Sequence, residues 1–495
     1  MPRSKIRKTT RVSDFYGLGL KQPSLEFLDV RLQTDTPMFV DPRAFVALQT
    51  DWGDECVDLI RDFFDDVLQS IRRNDAQRAR LLLSGLHEPN ETRLGYSKDR
   101  VAGHGVGDEL ADGIYHSLAR SEAVEHGLIE HLEDTSLLVE GIGVDRVSDI
   151  TTNIVREKLI EFTVDMAGKY GMDLVEAGSG PIWSAAKGEW TESHIPLLSP
   201  EGAPLLLIPR TVARWKLDYD PGEYYRGHVL PFLQEHELRK KRSPLVQTVL
   251  SGRRKGERYV RKKDVDRHYR KEVGGGQKKV SVDVTRDFPA VLKAFRKSRE
   301  RVFRAPVSFE ELHERIGTPK PNWDDLLKEV LDATPGRADA DRYHKAIEAL
   351  FSPLFSDNLL DPKREKSGAS DTLRIDVRYR NMARSGFFRW FNTQFVRAPF
   401  VPVECKNLSS DPGNDEVAQL AGRLNKHRGL LGFLVCRKIE NRERFLIRCR
   451  QELTNDRYII GLDDSDLSEL VAARKEGNAD RQTKILADLL EELVD

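Results

Sequence analysis

The sequence predicts an α/β domain in the C-terminal part of the chain, with a mixed central sheet flanked by helices. We expect it to follow a mixed α+β N-terminal domain and a helical basic connector. Three observations predict this organisation: short apolar strands alternate with amphipathic helices after residue 340, positive charge is concentrated between Leu238 and Arg304, and the chain has 495 residues, enough for about three domains. We therefore place the domains at residues 1–235, 236–304 and 305–495.

Composition limits the compartment and the class of protein. The net charge is −1, hydrophobic residues make up 39% of the chain, and no segment approaches the length of a membrane span, which needs about 20 apolar residues. Met1–Arg11 is basic with no apolar run behind it, so no signal peptide or anchor is predicted. The four cysteines include no Cys-x-x-Cys pair; they are Cys56, Cys405, Cys436 and Cys449. We expect a cytoplasmic protein with reduced thiols.

The C-terminal domain is predicted element by element from its apolar patterns. The predicted elements are a helix around Tyr343–Phe351, strands Leu373–Tyr379 and Phe400–Lys406, a helix Asp415–Leu424, strands Leu431–Cys436, Phe445–Cys449 and Tyr458–Leu462, and closing helices Asp464–Lys475 and Asp480–Val494. In the middle helix, apolar residues recur at i, i+3, i+4 and i+7, while Gln419 and Arg423 form a second stripe at i+4. The order is therefore helix, strands, helix, strands.

Two of the predicted strands carry charged residues within apolar runs. Asp376 lies in the middle of the first strand, and Glu404 and Lys406 lie two residues apart at the end of the second. Positions i and i+2 of a strand share a face, so Glu404 and Lys406 are expected on the same side. Burying such charges is unfavourable, and it is usually tolerated where a cation and a phosphate complete the site.

These residues, in this order and on these elements, resemble the PD-(D/E)xK nuclease superfamily with its restriction-endonuclease-like fold. One departure is that Ile375, not Pro, precedes Asp376. The resemblance implies a magnesium or manganese ion held by Asp376 and Glu404, with the backbone carbonyl of Cys405 and the carboxylate of Glu348 as further metal contacts. It also implies that Lys406 orients the attacking water and that Gln419 fixes a water or a phosphate oxygen.

The function that this resemblance implies is metal-dependent hydrolysis of phosphodiester bonds, with DNA as the expected substrate. Prokaryotic restriction or antiviral defence is the role that the architecture resembles, and a homodimer or a defence-system partner protein would fit it. The alternative is a nucleic-acid-binding or regulatory protein that keeps the fold without cleaving. Taken singly, each residue also has a simpler interpretation: Asp376 as an edge-strand carboxylate, Glu404 and Lys406 as an ion pair, Gln419 as a surface residue, and Cys405 as a buried small residue.

A dense basic segment precedes this domain. Between Leu238 and Arg304 there are 23 Lys or Arg against 7 Asp or Glu. The candidate nucleic-acid contacts are Arg239, Lys240, Lys241, Arg253, Arg254, Lys255, Arg261, Lys262 and Lys263. A solvated connector is the simpler interpretation, and contact with a phosphate backbone is the functional one, favoured beside a nuclease-like domain.

The N-terminal domain contains one unusual polar run, from Ser148 to Asn153, ahead of a predicted helix Ile154–Tyr170. We expect Ser148 or Asp149 to cap that helix, because its first amides need acceptors. An anion or metal site at the helix start is the sharper alternative. A third reading makes residues 1–235 an unrelated enzyme centred on Asp145, Asp149 and Asn153.

Overall fold

The structure, a computed structural model, describes residues 10–48, 50–95, 106–300, 306–365 and 376–495, without the side chains of 106–109, 361, 364, 365 and 376. The predicted strand residues Leu373–Ile375, most of the basic tail Met1–Arg11 and the proposed boundary at 304/305 therefore lie outside the described residues. The chain divides into two compact units. One contains the described residues up to Val307 except Leu20–Glu26, and the other contains Leu20–Glu26 and Ser308–Asp495.

The first unit combines many helices with short two-stranded sheets. Its helices are α1 (Val12–Phe15), α2 (Pro42–Leu48), α3 (Asp51–Arg72), α4 (Ala76–Leu83), α5 (Val106–Ala119), α6 (Glu122–Glu125), α7 (Asp134–Leu138), α8 (Val144–Ile154), α9 (Arg156–Tyr170), α10 (Pro221–Tyr224), α11 (Leu230–Arg239), α12 (Lys262–Glu272), α13 (Gln277–Asp287) and α14 (Ala290–Glu300). Its strands are β1 (Phe39–Val40), β2 (Val175–Gly178), β3 (Ile182–Ser184), β4 (Glu189–Thr191), β5 (His194–Leu197), β6 (Ala213–Arg214), β7 (Gln247–Thr248) and β8 (Arg258–Tyr259). The described basic segment after residue 236 is part of this unit.

Helix α3 packs one apolar stripe into the core of the first unit. The Thr50 side chain accepts a hydrogen bond from the amide of Gly53 and so caps the first turn. The buried stripe includes Phe63, which is in edge contact with Trp183. The apolar residues recur with the helical period, which places them on one buried face.

The polar run after residue 147 is a helix interior, so the predicted cap is wrong. Helix α8 begins at Val144, and no side chain caps it. Ser148 instead accepts a hydrogen bond from the amide of Val40, and the Thr151 and Thr152 hydroxyls donate to carbonyls one turn earlier. These buried hydroxyls satisfy their own polar atoms within the helix, which lets them sit in a core.

The second unit is built around one mixed sheet. Its helices are α15 (Phe309–Ile316), α16 (Trp323–Leu331), α17 (Ala340–Leu354), α18 (Gly386–Gln394), α19 (Asn414–Ala421), α20 (Arg442–Leu453), α21 (Asp464–Lys475) and α22 (Ala479–Val494). Its strands are β9 (Leu359–Glu365), β10 (Asp376–Asn381), β11 (Phe400–Lys406), β12 (Leu431–Cys436) and β13 (Tyr458–Leu462). The mixed α/β character that the sequence predicted is confirmed.

The strand order places β11 at the centre. The order is β13, β12, β11, β10, β9; β9 to β11 pair antiparallel, whereas β11 to β13 pair parallel. Helix α17 packs on the face that carries Tyr379 and Phe433, since Phe351 contacts both rings. Helix α19 lies on the opposite face, against Gly432. Both faces of β11 are therefore covered.

Three features of this unit differ from the expectation or were not foreseen. Phe445–Cys449, predicted as a strand, lies inside helix α20, where Phe445 and Cys449 point into the core at i and i+4. Strand β9 and helix α18 were not predicted. The prediction failed for Phe445–Cys449 because a short apolar run fits either period.

Candidate active site

The centre of the candidate site is the end of strand β11. Glu404 is fully buried and Lys406 is 5% exposed, and Lys406 Nζ lies 2.6 Å from Glu404 Oε1. The prediction that these two side chains share a face is confirmed. Because the strand is covered on both sides, the pair is largely removed from water.

Helix α19 and the turn that follows it supply two more polar side chains to the same place. Lys406 Nζ donates a 2.8 Å hydrogen bond to Gln419 Oε1, so the structure brings the predicted Gln419 to the site. Arg423, one turn later, lies with its Nη1 3.1 Å from Glu404 Oε2. No role was predicted for Arg423 from the sequence, although its i+4 spacing from Gln419 indicated that the two side chains point to the same side.

The electrostatics of the cluster follow from this geometry. One buried carboxylate, Glu404, has a cation at each oxygen, and both oxygens lie within ion-pair distance. An uncompensated charge at this depth would be strongly unfavourable, and removing one member of a buried pair typically costs about 3–5 kcal/mol. The two cations therefore lie where they offset the negative charge of the Glu404 carboxylate.

The backbone position of Asp376 can be compared with that of Glu404. Val377, the residue after Asp376, pairs with Val403, the residue before Glu404. Residue 376 itself pairs with Glu365 of β9. Directly opposed residues of an antiparallel pair lie on the same face about 4.5–5.5 Å apart at Cβ. The backbone of residue 376 is therefore at the end of β10 next to Glu404, and β10 runs away from the site towards Asn381. The Asp376 side chain lies outside the part that the structure describes.

Helix α17 contributes two residues from the other side of β11. Glu348 is half-buried. Burial raises the pKa of both Tyr379 and Cys405, and the charge of Glu348 adds to each shift. His344, one turn earlier and 7% exposed, was missed by the sequence analysis. Burial lowers the pKa of His344, although its hydrogen bond to the backbone of Cys405 and the charge of Glu404 act in the opposite direction. No motif pointed to it, but a His four residues before Glu348 occupies the same helix face.

Cys405 is a buried, neutral thiol. Its side chain is 1% exposed, and burial raises its pKa well above that of a free thiol, with a further contribution from Glu404. The side chain therefore has no thiolate chemistry at neutral pH. Its backbone forms a hydrogen bond with His344.

The chemistry of the donor set determines which metal would fit. Carboxylate and carbonyl oxygens from Asp376, Glu404 and Cys405 are hard ligands, which suit magnesium or manganese. Among the side chains that the structure describes, no group of three or more His, Cys, Asp or Glu is arranged to hold a metal ion. A site here would therefore require Asp376 as a second carboxylate beside Glu404.

The predicted nucleic-acid contacts fall on three connected elements: the end of α11, the hairpin β7–β8, and the start of α12. Several are engaged by neighbours within the unit: Arg239 with Glu235, Lys240 with Glu237, Arg254 with Glu257, Arg261 over the Tyr259 ring, and Lys262 with the Arg226 carbonyl. The remaining four are exposed and form no ion pair with any described residue: Lys241, Arg253, Lys255 and Lys263.

The elements that carry these cations are tied together. Tyr269 of α12 donates a 2.6 Å hydrogen bond to Glu237 of α11. Gln234 of α11 donates another, also of 2.6 Å, to the carbonyl of Val260, the residue after β8. The basic residues are therefore displayed from one packed substructure instead of a loose chain. That arrangement provides a fixed positive surface suited to a polyanion.

The polar residues of α8 form a separate cluster in the first unit. Burial raises the pKa of Asp149 to about 8, helped by the neighbouring charge of Asp145. Asn153 is fully buried and donates to the carbonyls of His87 and Asp149. Glu91 forms a close ion pair with Arg156. These contacts account for most of the polar run as internal structure, and the predicted helix-start site does not form there because the run is mid-helix.

Comparison with known proteins identifies only one region of the chain. Residues 17–220 match the family model of a domain of unknown function (DUF8370). This match covers less than half of the chain and ends before the basic elements and the sheet β9–β13. No curated protein and no solved structure gives a significant match. In the part that the structure describes, no helix is long and apolar enough to cross a membrane.

Proposed function

We propose that this protein is a magnesium- or manganese-dependent nuclease of the PD-(D/E)xK type, with a restriction-endonuclease-like C-terminal domain. The observation that carries the proposal is the buried cluster of Glu404, Lys406, Gln419 and Arg423 where β11 ends. Strand β10, with Asp376 at its start, pairs alongside. A charged cluster placed at the end of a central strand is better explained by chemistry than by stability, since burying ions seldom stabilises a fold.

Each residue has a role that its position supports. Asp376 and Glu404 would hold the divalent cation, with Glu348 and the Cys405 carbonyl as further contacts. Bound there, the cation supplies charge to the phosphate and acidity to a water. Lys406 lies between the Glu404 and Gln419 oxygens, so its ammonium is positioned to orient that water or to stabilise developing negative charge. Gln419 fixes Lys406, and Arg423 fixes Glu404.

The target that we propose is DNA, and the role is prokaryotic restriction or antiviral defence. The exposed cations of residues 236–304 support a phosphate-backbone contact, which gives affinity without reading sequence. Residues 1–235 would recognise the target or a partner protein. Self-association would allow both strands to be cut.

A non-cleaving nucleic-acid-binding or regulatory protein is a second candidate, and one observation favours it. Both oxygens of Glu404 are within ion-pair distance of a cation, and the carboxylate is fully buried. The same network would form if Glu404 only fastened β11 to α19. Access for a metal then becomes the point on which the two functions differ.

The test uses purified full-length protein with supercoiled plasmid, linear DNA and RNA, each with magnesium or with chelator. We expect metal-dependent nicking or linearisation of DNA, lost in Glu404→Ala and Lys406→Ala. The matched control is Glu440→Ala, which removes an exposed carboxylate from an exposed pair and should cut as the parent does. The proposal is overturned if both site variants still cleave DNA, or if the parent protein cleaves none of the substrates.

A further inference from the structure

The hairpin β7–β8 has a fixed base and a projecting tip. The base is held by the Tyr259 hydroxyl donating to Gln247 Oε1 at 2.9 Å. The ladder continues through Val249, whose amide donates to Glu257 and whose carbonyl accepts from Gly256, each at 2.9 Å. Residues 250–255, which lie beyond this ladder, are all exposed. The tip is therefore an ordered arm that stands out from its unit.

An apolar side chain sits on this arm. Leu250 is 85% exposed, whereas the other exposed large hydrophobic residues of the described chain are 37–53% exposed. It is followed by the basic triplet Arg253, Arg254 and Lys255. Arg254 pairs with Glu257 within the arm, while Arg253 and Lys255 form no ion pair with any described residue. An exposed leucine beside free cations calls for a partner that is both negatively charged and able to accept an apolar group.

We propose that the arm 249–257 enters the minor groove of duplex DNA, with Leu250 as a wedge between base pairs and Arg253 and Lys255 on the flanking phosphates. This inference rests on the proposed function, because it names duplex DNA as the substrate of the same protein. The match is one of chemistry: apolar side chains of this size unstack base steps from the minor groove, and the narrow groove attracts cations.

The chemistry favours DNA over the other polyanions. The minor groove of A-form RNA is wide and shallow, so a single leucine would lack the enclosing walls. An acidic protein surface would engage the cations but would offer no stacked step for Leu250 to open. The exposed arm is also rigid at its base, which lowers the entropy cost of insertion.

The experiment measures binding of the full-length protein to a fluorescein-labelled duplex in chelator, so that no hydrolysis occurs. A second duplex carries 2-aminopurine, whose fluorescence rises when its step is unstacked. We expect Leu250→Ala to weaken binding about tenfold and to abolish the 2-aminopurine signal, with an unchanged salt dependence. Arg253→Ala with Lys255→Ala should reduce the slope of log K against log salt by about 2. Leu81→Ala removes another exposed leucine and should bind as the parent does.

The outcomes separate this inference from the proposed function. Equal binding and equal 2-aminopurine fluorescence for Leu250→Ala and parent would overturn the wedge, as would binding of RNA or protein but not duplex DNA by the parent. Metal-dependent cleavage in the same preparations would then still support the nuclease. Conversely, wedge-dependent binding without any cleavage would uphold the wedge and overturn the nuclease.

Discussion

Lys406→Met is the perturbation that best separates chemistry from structure at the candidate site. Methionine keeps most of the length of the side chain and removes Nζ, which lies 2.6 Å from Glu404 and 2.8 Å from Gln419. Losing hydrogen bonds to charged groups costs about 1.5–3 kcal/mol. Glu404 still keeps Arg423 at 3.1 Å, so the loss should fall below the 3–5 kcal/mol of a fully broken pair.

The predicted effect on activity is larger than the effect on stability. If the ammonium acts on the attacking water or on the developing charge, its loss should slow cleavage by about 10²–10⁴-fold. Plasmid nicking under saturating magnesium measures the rate, and urea unfolding followed by circular dichroism measures the stability. The control, Lys438→Met, removes an exposed ammonium paired with Glu440 and should leave stability close to the parental value, since exposed ion pairs contribute little.

A second variant tests how much each of the two cations contributes. Arg423→Met removes the other positive charge beside Glu404. Compared with Lys406→Met, it should lose a similar amount of stability and less activity. The double variant removes both of these cations from Glu404 and should lose more stability than the sum of the single changes, because the two side chains share the same carboxylate. The reasoning is refuted if Lys406→Met cuts at the parental rate, or if the two single losses simply add.

The remaining predictions concern packing and pH. Gly461→Ala should destabilise the protein by about 1–3 kcal/mol, because a Cβ there would lie 2.4 Å from the Phe445 ring. Gly168→Ala, at an open, exposed position of helix α9, should instead stabilise the protein by about 0.5–1 kcal/mol. Thermal unfolding of both checks the sign. Burial raises the pKa of Asp149 to about 8. The protonated carboxyl therefore contributes its full stability below the pKa of the unfolded state, near 4, and this contribution is lost as the pH rises through 8. Asp149→Asn should therefore gain stability relative to the parent between pH 4 and 8 in urea unfolding, and parallel curves would contradict this.

Elements with a clear apolar period were predictable from sequence. Helices α21 and α22 and strands β11 and β13 lie close to where their patterns placed them, because one period fits each of them. The pairing of Glu404 with Lys406 was also predictable, since i and i+2 of a strand share a face.

The failures have specific physical causes. Strand β9 contains Pro362 and several charged residues, which an edge strand tolerates but which give no strand signal. The polar run of α8 looked like a cap because Ser and Thr favour caps, yet their hydroxyls bond backwards to helix carbonyls instead. His344 could not be found because its neighbour, the backbone of Cys405, is distant in sequence and becomes adjacent only in the fold.

The change from antiparallel to parallel pairing at β11 has a consequence for biosynthesis. Strands β9 to β11 are neighbours both in sequence order and in the sheet, so they can pair before the rest of the sheet has been made. Helix α19 belongs to the crossover between β11 and β12, and its Leu420 lies against Gly432 of β12. The helix that carries Gln419 therefore has its complete support over Glu404 and Lys406 only after translation has passed Cys436.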